Sequence, residues 1–168
     1  MCSSVNEAVL SSIVKELDAK RYMGVWYEIA RYPHSFEKGL VGVTATYTLR
    51  DDGMISVLNQ GYDGSFEGKL KQANGKAKIP NPAEQGKLRV SFFWIFYGDY
   101  FVLDLDKDYQ HVLIGSSSPD YLWILSRTPK MDPDVYKRLV DKARGLGYDV
   151  SKLGLVAQKE GLREKGEG

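Results

Sequence analysis

The chain has 168 residues, 43% of them hydrophobic and 27% charged, the composition of one ordinary globular domain. Twenty-three basic residues against twenty-two acidic ones leave a net charge of +1, which offers neither a basic footprint for nucleic acid nor an acidic tail. No apolar run approaches the ~20 residues needed to cross a bilayer as a helix, and the single cysteine, Cys2, permits no disulfide within the chain.

Residues 5–16 have helical spacing with a weak apolar pattern and form an N-terminal segment (1–16). Leu17 to Tyr22 reads as a short turn of helix leading into a first strand, about Val25 to Arg31. After a loop with Pro33 and Gly39, a second strand over 42–50 places Val43, Ala45, Tyr47 and Leu49 on one face. Thr44, Thr46 and Thr48 take the other, a period of two. Asp51-Asp52-Gly53 is a hairpin turn, because glycine accepts the positive φ that such turns require. Further strands are expected over 54–62 and 66–78, the latter ended by Pro80 and Pro82. The next carries Leu88, Val90 and Phe92 on one face, and others follow at 99–105, 109–115 and 121–127. Asp132-Pro133 then opens a helix with aspartate at its cap and proline in its first turn. Val135, Leu139 and Ala143, with Tyr136 and Val140, give that helix an apolar stripe, and Gly145 and Gly147 stop it. A short last strand lies within 153–156, and 159–168 is a charged, glycine-rich tail. Eight strands joined mainly by short turns predict an all-β fold, an eight-stranded antiparallel up-and-down β-barrel. It has a short N-terminal helix and one C-terminal helix packed outside.

Gly24-Val25-Trp26 near the start and Arg127 at the end of the eighth strand bracket this series. With the extended blocks Trp26-Tyr27-Glu28-Ile29-Ala30-Arg31, Thr44-Ala45-Thr46-Tyr47, Tyr121 to Pro129 and Gly147-Tyr148-Asp149-Val150-Ser151, the chain resembles the lipocalin family over residues 17–158. Within it, the chain looks like the bacterial lipocalin and apolipoprotein D branch. The family's second motif, Thr-Asp-Tyr in many members, is here Leu105-Asp106-Lys107, so only Asp106 is kept. The resemblance implies that Trp26 plugs the barrel floor and that Arg127 stacks across it, a cation–π contact of about 0.5–2 kcal/mol. Bacterial members are commonly outer-membrane lipoproteins whose mature chain opens on a cysteine and serines. Cys2-Ser3-Ser4 fits a lipidated Cys2 and a location facing the periplasm. It also fits an incidental thiol, with the chain then soluble.

Alternation from Trp26 places Glu28 and Ala30 inward. The same rule gives a ligand-facing wall of Val43, Ala45, Tyr47, Val57, Asn59, Ala77, Leu88, Val90, Phe92, Tyr121, Trp123 and Leu125. Small residues among the inward positions (Ala30, Ala45, Gly75, Ala77) leave room for a guest, to which each buried methylene contributes about 0.8 kcal/mol. A buried Glu28 needs a partner, for which His111 is the candidate; the two serve either a ligand head group or each other. His34, in the first loop, is expected in solvent. Phe36, Leu40, Trp94 and Phe96 form an aromatic and apolar rim. It suits a lid, a membrane surface, a homodimer contact or packing within the loops. Nucleophile-elbow, phosphate-loop and metal-ligand patterns are all missing. The expectation is therefore no enzyme, no metal and no cofactor. The chain is expected to bind fatty acids or lysophospholipids inside the barrel, for lipid storage, transport or scavenging at the cell envelope. The competing reading is a filled barrel that works as an interaction protein through its rim.

Overall fold

The computed structural model describes residues 6–34, 37–92 and 97–159. Eight strands run in chain order around a barrel: β1 (Gly24–Arg31), β2 (Leu40–Leu49), β3 (Ile55–Asp63), β4 (Leu70–Lys78), β5 (Lys87–Phe92), β6 (Tyr97–Leu105), β7 (His111–Gly115) and β8 (Trp123–Ser126). Each is antiparallel to the next, and β1 pairs with both β2 and β8, which closes the sheet and removes its edges.

Closure is incomplete at one end. The β1–β2 pairing runs only from Gly24↔Tyr47 to Tyr27↔Thr44. Beyond that the strands part, and a short ninth strand, β9 (Gly154–Leu155), pairs with Ala30 and Arg31 instead. Gln158 bridges the gap: its side-chain amide donates to the backbone oxygens of Glu28 (2.8 Å) and Val43 (2.9 Å), one on each parted strand.

Among the described residues three α-helices complete the fold: α1 (Glu7–Ser12), α2 (Ala19–Tyr22) and α3 (Pro133–Gly145). Asp132 caps α3 by accepting from Asp134 N, Pro133 follows it, and Leu139 and Ala143 of the apolar stripe are fully buried. Asp18 caps α2 in the same way, accepting from Lys20 N and Arg21 N. The N-terminal segment is tied to the barrel: Asn6 donates to Leu146 O, Val14 N to Val102 O, and Val9 is buried.

Apolar side chains collect in two main layers. The barrel interior holds Trp26, Tyr47, Val57, Val90, Tyr100, Ile114 and Leu125. An outer layer packs Phe101, Leu103, Leu113, Leu122 and Ile124 beneath Leu139 and Ala143 of α3. Burial on alternate residues of β5, and on both faces of β7, follows from this arrangement, since only the strands under the helix are covered on both sides.

Candidate functional site

The closed end is built around Trp26. Its side chain is fully buried and its indole nitrogen donates to Tyr22 O at 2.9 Å. The Arg127 guanidinium lies 3.9 Å above the indole ring. The same guanidinium donates to Val25 O (3.0 Å), Arg21 O (2.7 Å) and Tyr109 O (3.2 Å), so three segments of chain are tied by one side chain. Gly24 permits this approach. Its φ is +101°, and a Cβ there would sit 3.3 Å from the Arg127 guanidinium.

Above the floor stand three buried tyrosines. The Tyr100 hydroxyl bonds that of Tyr22 at 2.6 Å and that of Tyr47 at 2.9 Å. Burial pushes all three phenols up from their ordinary range, so they stay neutral. Three hydroxyls carry three hydrogens, and two bonds use two of them. One O–H is left over to donate, and Tyr47 and Tyr100 both line the cavity above.

That cavity has about 600 Å³ of atom-free space, counted with its open mouth. Its wall is contributed strand by strand: Glu28; Ala45 and Tyr47; Val57 and Asn59; Ala73; Val90 and Phe92; Tyr100; Ile114; Trp123 and Leu125. His34 and Glu37 come from the loop after β1. Apart from Asn59, His34, the two glutamates and the tyrosine hydroxyls, this lining is apolar. Gly75 lets Phe92 close over one side, since a Cβ at 75 would fall 2.5 Å from the Phe92 ring.

One side of the wall carries charge. Arg31 faces two buried carboxylates, with Nε 3.0 Å from Glu37 Oε1 and Nη1 3.5 Å from Glu28 Oε1. Its Nη2 donates to Glu37 O at 2.6 Å. His34 Nε2 lies 3.4 Å from Glu37 Oε1, and its ring meets Trp123 edge-on at 6.0 Å. Burial pushes the Glu28 carboxyl well above the usual carboxylate range; Glu37 beside it adds to this and Arg31 opposes it. Burial alone would raise Glu37 too. Hydrogen bonds from His34 and Glu28 and the charges of His34 and Arg31 outweigh it and hold Glu37 down. The two shifts run in opposite directions, so Glu28 holds a proton more readily than Glu37.

Of the residues expected on the wall, Ala45, Tyr47, Val57, Asn59, Val90, Phe92, Trp123 and Leu125 line this cavity. Ala77 and Leu88 lie nearer the floor, around a smaller void with Tyr22 and Ile55. Tyr121 stacks on Trp123 with centroids 5.7 Å apart and is not among the residues that line the cavity. Ala30 does not face in. The β1–β8 register shifts between Glu28 and Ala30, and the bulge turns Ala30 outward into the layer beneath α3. A second register shift, between Val41 and Thr44, sets Val43 apart from the cavity, where it packs with Leu40 and Val156. Leu40 is thus buried and is no rim residue. His111 is no partner of Glu28: it sits beside Asp106, Nδ1 to Oδ1 3.9 Å, on the same strand face as outward Leu113. His34, expected in solvent, lines the cavity. Phe36, Trp94, Phe96 and Cys2 lie outside the described residues.

A closed antiparallel barrel, sealed at one end by an Arg–Trp stack and lined with apolar side chains, defines a container for small hydrophobic molecules. The family model for the lipocalin-like domain matches residues 17–158, and the chain belongs to the lipocalin family. It is 47% identical over 157 residues to the outer membrane lipoprotein Blc of Escherichia coli K12, an alignment covering 94% of this chain and 88% of that one. Apolipoprotein D of Mus musculus is 35% identical over 149 residues, covering 84% of this chain and 77% of that one. The solved structure of insecticyanin from the tobacco hornworm Manduca sexta superposes with a TM-score of 0.71. At 22% identity, over 89% of this chain and 85% of that one, it shows the fold. Lipocalins are binding and transport proteins, so the chain is a binder of small hydrophobic ligands and not an enzyme. Its bacterial relatives from Escherichia coli and Vibrio cholerae are named outer membrane lipoproteins.

Proposed function

We propose that the barrel carries single-chain amphiphiles, fatty acids or lysophospholipids, with the acyl chain in the apolar part of the cavity. Its role is then lipid storage, transport or scavenging at the cell envelope. The supporting observation is the void framed by Ala45, Ala73, Val57 and Val90 above the Tyr47–Tyr100 pair. Ala45 on β2 and Ala73 on β4, in register on either side of Asn59 on β3, leave width that larger side chains would have filled. That space favours a container over a filled barrel working as an interaction protein. Competition between a fluorescent fatty acid and oleate or an oleoyl lysophospholipid tests the reading: displacement at a one-to-one stoichiometry supports it, and failure of both competitors overturns it.

Cys2 is the residue that would carry a lipid anchor facing the periplasm, and Phe36, Trp94 and Phe96 are those that would dock the mouth on a membrane. Serine at 94 and 96 should slow uptake of cargo from phospholipid vesicles more than it weakens affinity for free cargo. Unchanged uptake rates would remove the docking role.

A further inference from the structure

The charged side of the cavity is built unlike the rest of the wall. Glu28 and Glu37 are almost fully buried, their side chains 6% and 2% exposed. Both line the cavity. The Oε1 atom of each finds no hydrogen-bond partner of good geometry among the described residues. Arg31 approaches both, but its contact with Glu28 is long at 3.5 Å, and its best hydrogen bond goes to a backbone oxygen. Two carboxyl groups face one guanidinium and one imidazole, whose Arg31 Nε and His34 Nε2 atoms likewise lack a hydrogen-bond partner of good geometry, and among the described residues no lysine lines the cavity. A free carboxylate would meet these acceptors with no cation of its own to receive it. A cation would find two carboxylate oxygens already desolvated.

We propose that Glu28 and Glu37, backed by Arg31 and His34, form a subsite for the ammonium group of a single-chain amphiphile. This rests on the container reading above and narrows its ligand class. On binding, Glu28 gives its proton to solvent, its carboxylate takes up the R–NH3+ group as an ion pair, and the net charge of the subsite plus its cation does not change. The groups facing Glu28 are Arg31 on its own strand, Glu37 in the following loop and Tyr47 on β2, and His34 faces Glu37. The Gln158 amide holds only its backbone. The raised proton affinity of Glu28 and the lowered one of Glu37 agree with Glu28 as the carboxyl that gives up the proton.

The test is a head-group series on one chain length. Dodecylamine, dodecan-1-ol and dodecanoate are titrated into the full-length protein by calorimetry near neutral pH, in two buffers of different ionisation enthalpy. The amine should bind about tenfold or more tighter than the alcohol, and the carboxylate no tighter than the alcohol. Amine binding should release close to one proton and alcohol binding none. In Glu28→Gln the ratio of amine to alcohol affinity should fall to about one. Wild-type protein that binds amine and carboxylate equally, or binds the amine with no proton release, overturns the subsite whether or not the variant folds. If dodecan-1-ol binds and the amine has no advantage, the subsite fails and the container stands. If none of the three binds, the container reading fails with it.

Discussion

Arg127 and Trp26 make one unit of the barrel floor. The guanidinium covers the indole at 3.9 Å, and its nitrogen atoms hold the backbone oxygens of Val25, Arg21 and Tyr109. Lysine has the charge but neither the planar stack nor the fork of donors. Arg127→Lys should therefore lower stability by about 1–2 kcal/mol, and Trp26→Ala, which empties a fully buried site, by about 3–5 kcal/mol. Denaturant titration with unchanged slope measures both. A lysine variant as stable as the wild type would mean that neither the stack nor the hydrogen bonds of Arg127 hold the floor.

The tyrosine triad has a centre and two ends. Tyr100→Phe removes the hydroxyl to which both Tyr22 and Tyr47 bond, leaving two buried hydroxyls without that partner. Tyr47→Phe removes an end and leaves the shorter 2.6 Å bond intact. The Tyr100 variant should be the less stable of the two, by about 1–3 kcal/mol. Equal losses would indicate that water replaces the missing partner.

Glu28 gives the fold a pH dependence of definite sign. Its folded-state proton affinity lies above the ordinary carboxylate value of about 4.3. The contribution of its protonated form is complete below that value and is lost as pH rises through the folded-state pKa. Glutamine keeps the shape and a donor without the charge. The melting temperature of Glu28→Gln minus that of the wild type should thus increase from about pH 5 to about pH 8. Glu37 acts in the opposite sense and is present in both proteins, so it largely drops out of the difference. A difference independent of pH would mean that Glu28 is ionised throughout.

Ala45 faces Asn59 on the neighbouring strand and lines the cavity. Ala45→Trp should occupy the space a guest needs and reduce affinity for single-chain lipids by about tenfold or more. The overpacking itself costs about 1–3 kcal/mol of stability. Unaltered affinity in a folded variant would put the guest elsewhere.

Much of this wall can be read from alternation alone. Ala45, Tyr47, Val57, Asn59, Val90, Phe92 and Trp123 line the cavity where a period of two puts them. Tyr100 and Ile114 follow from the same rule applied to β6 and β7. Ala30 and Val43 depart from it because each lies next to a register shift, and a bulge adds a residue without any fixed signature in composition. His34 and Glu37 are harder still. They belong to an aperiodic loop, and only the folded chain brings them against Glu28 and Arg31. The charged subsite is therefore a product of tertiary structure, whereas the apolar container is written in strand periodicity.

The most direct test of the container is what the purified protein holds. Native mass spectrometry, followed by organic extraction of the same sample, should show one single-chain lipid per chain, lost in Ala45→Trp. An empty barrel that also takes up no added fatty acid, lysophospholipid or long-chain amine would contradict the account.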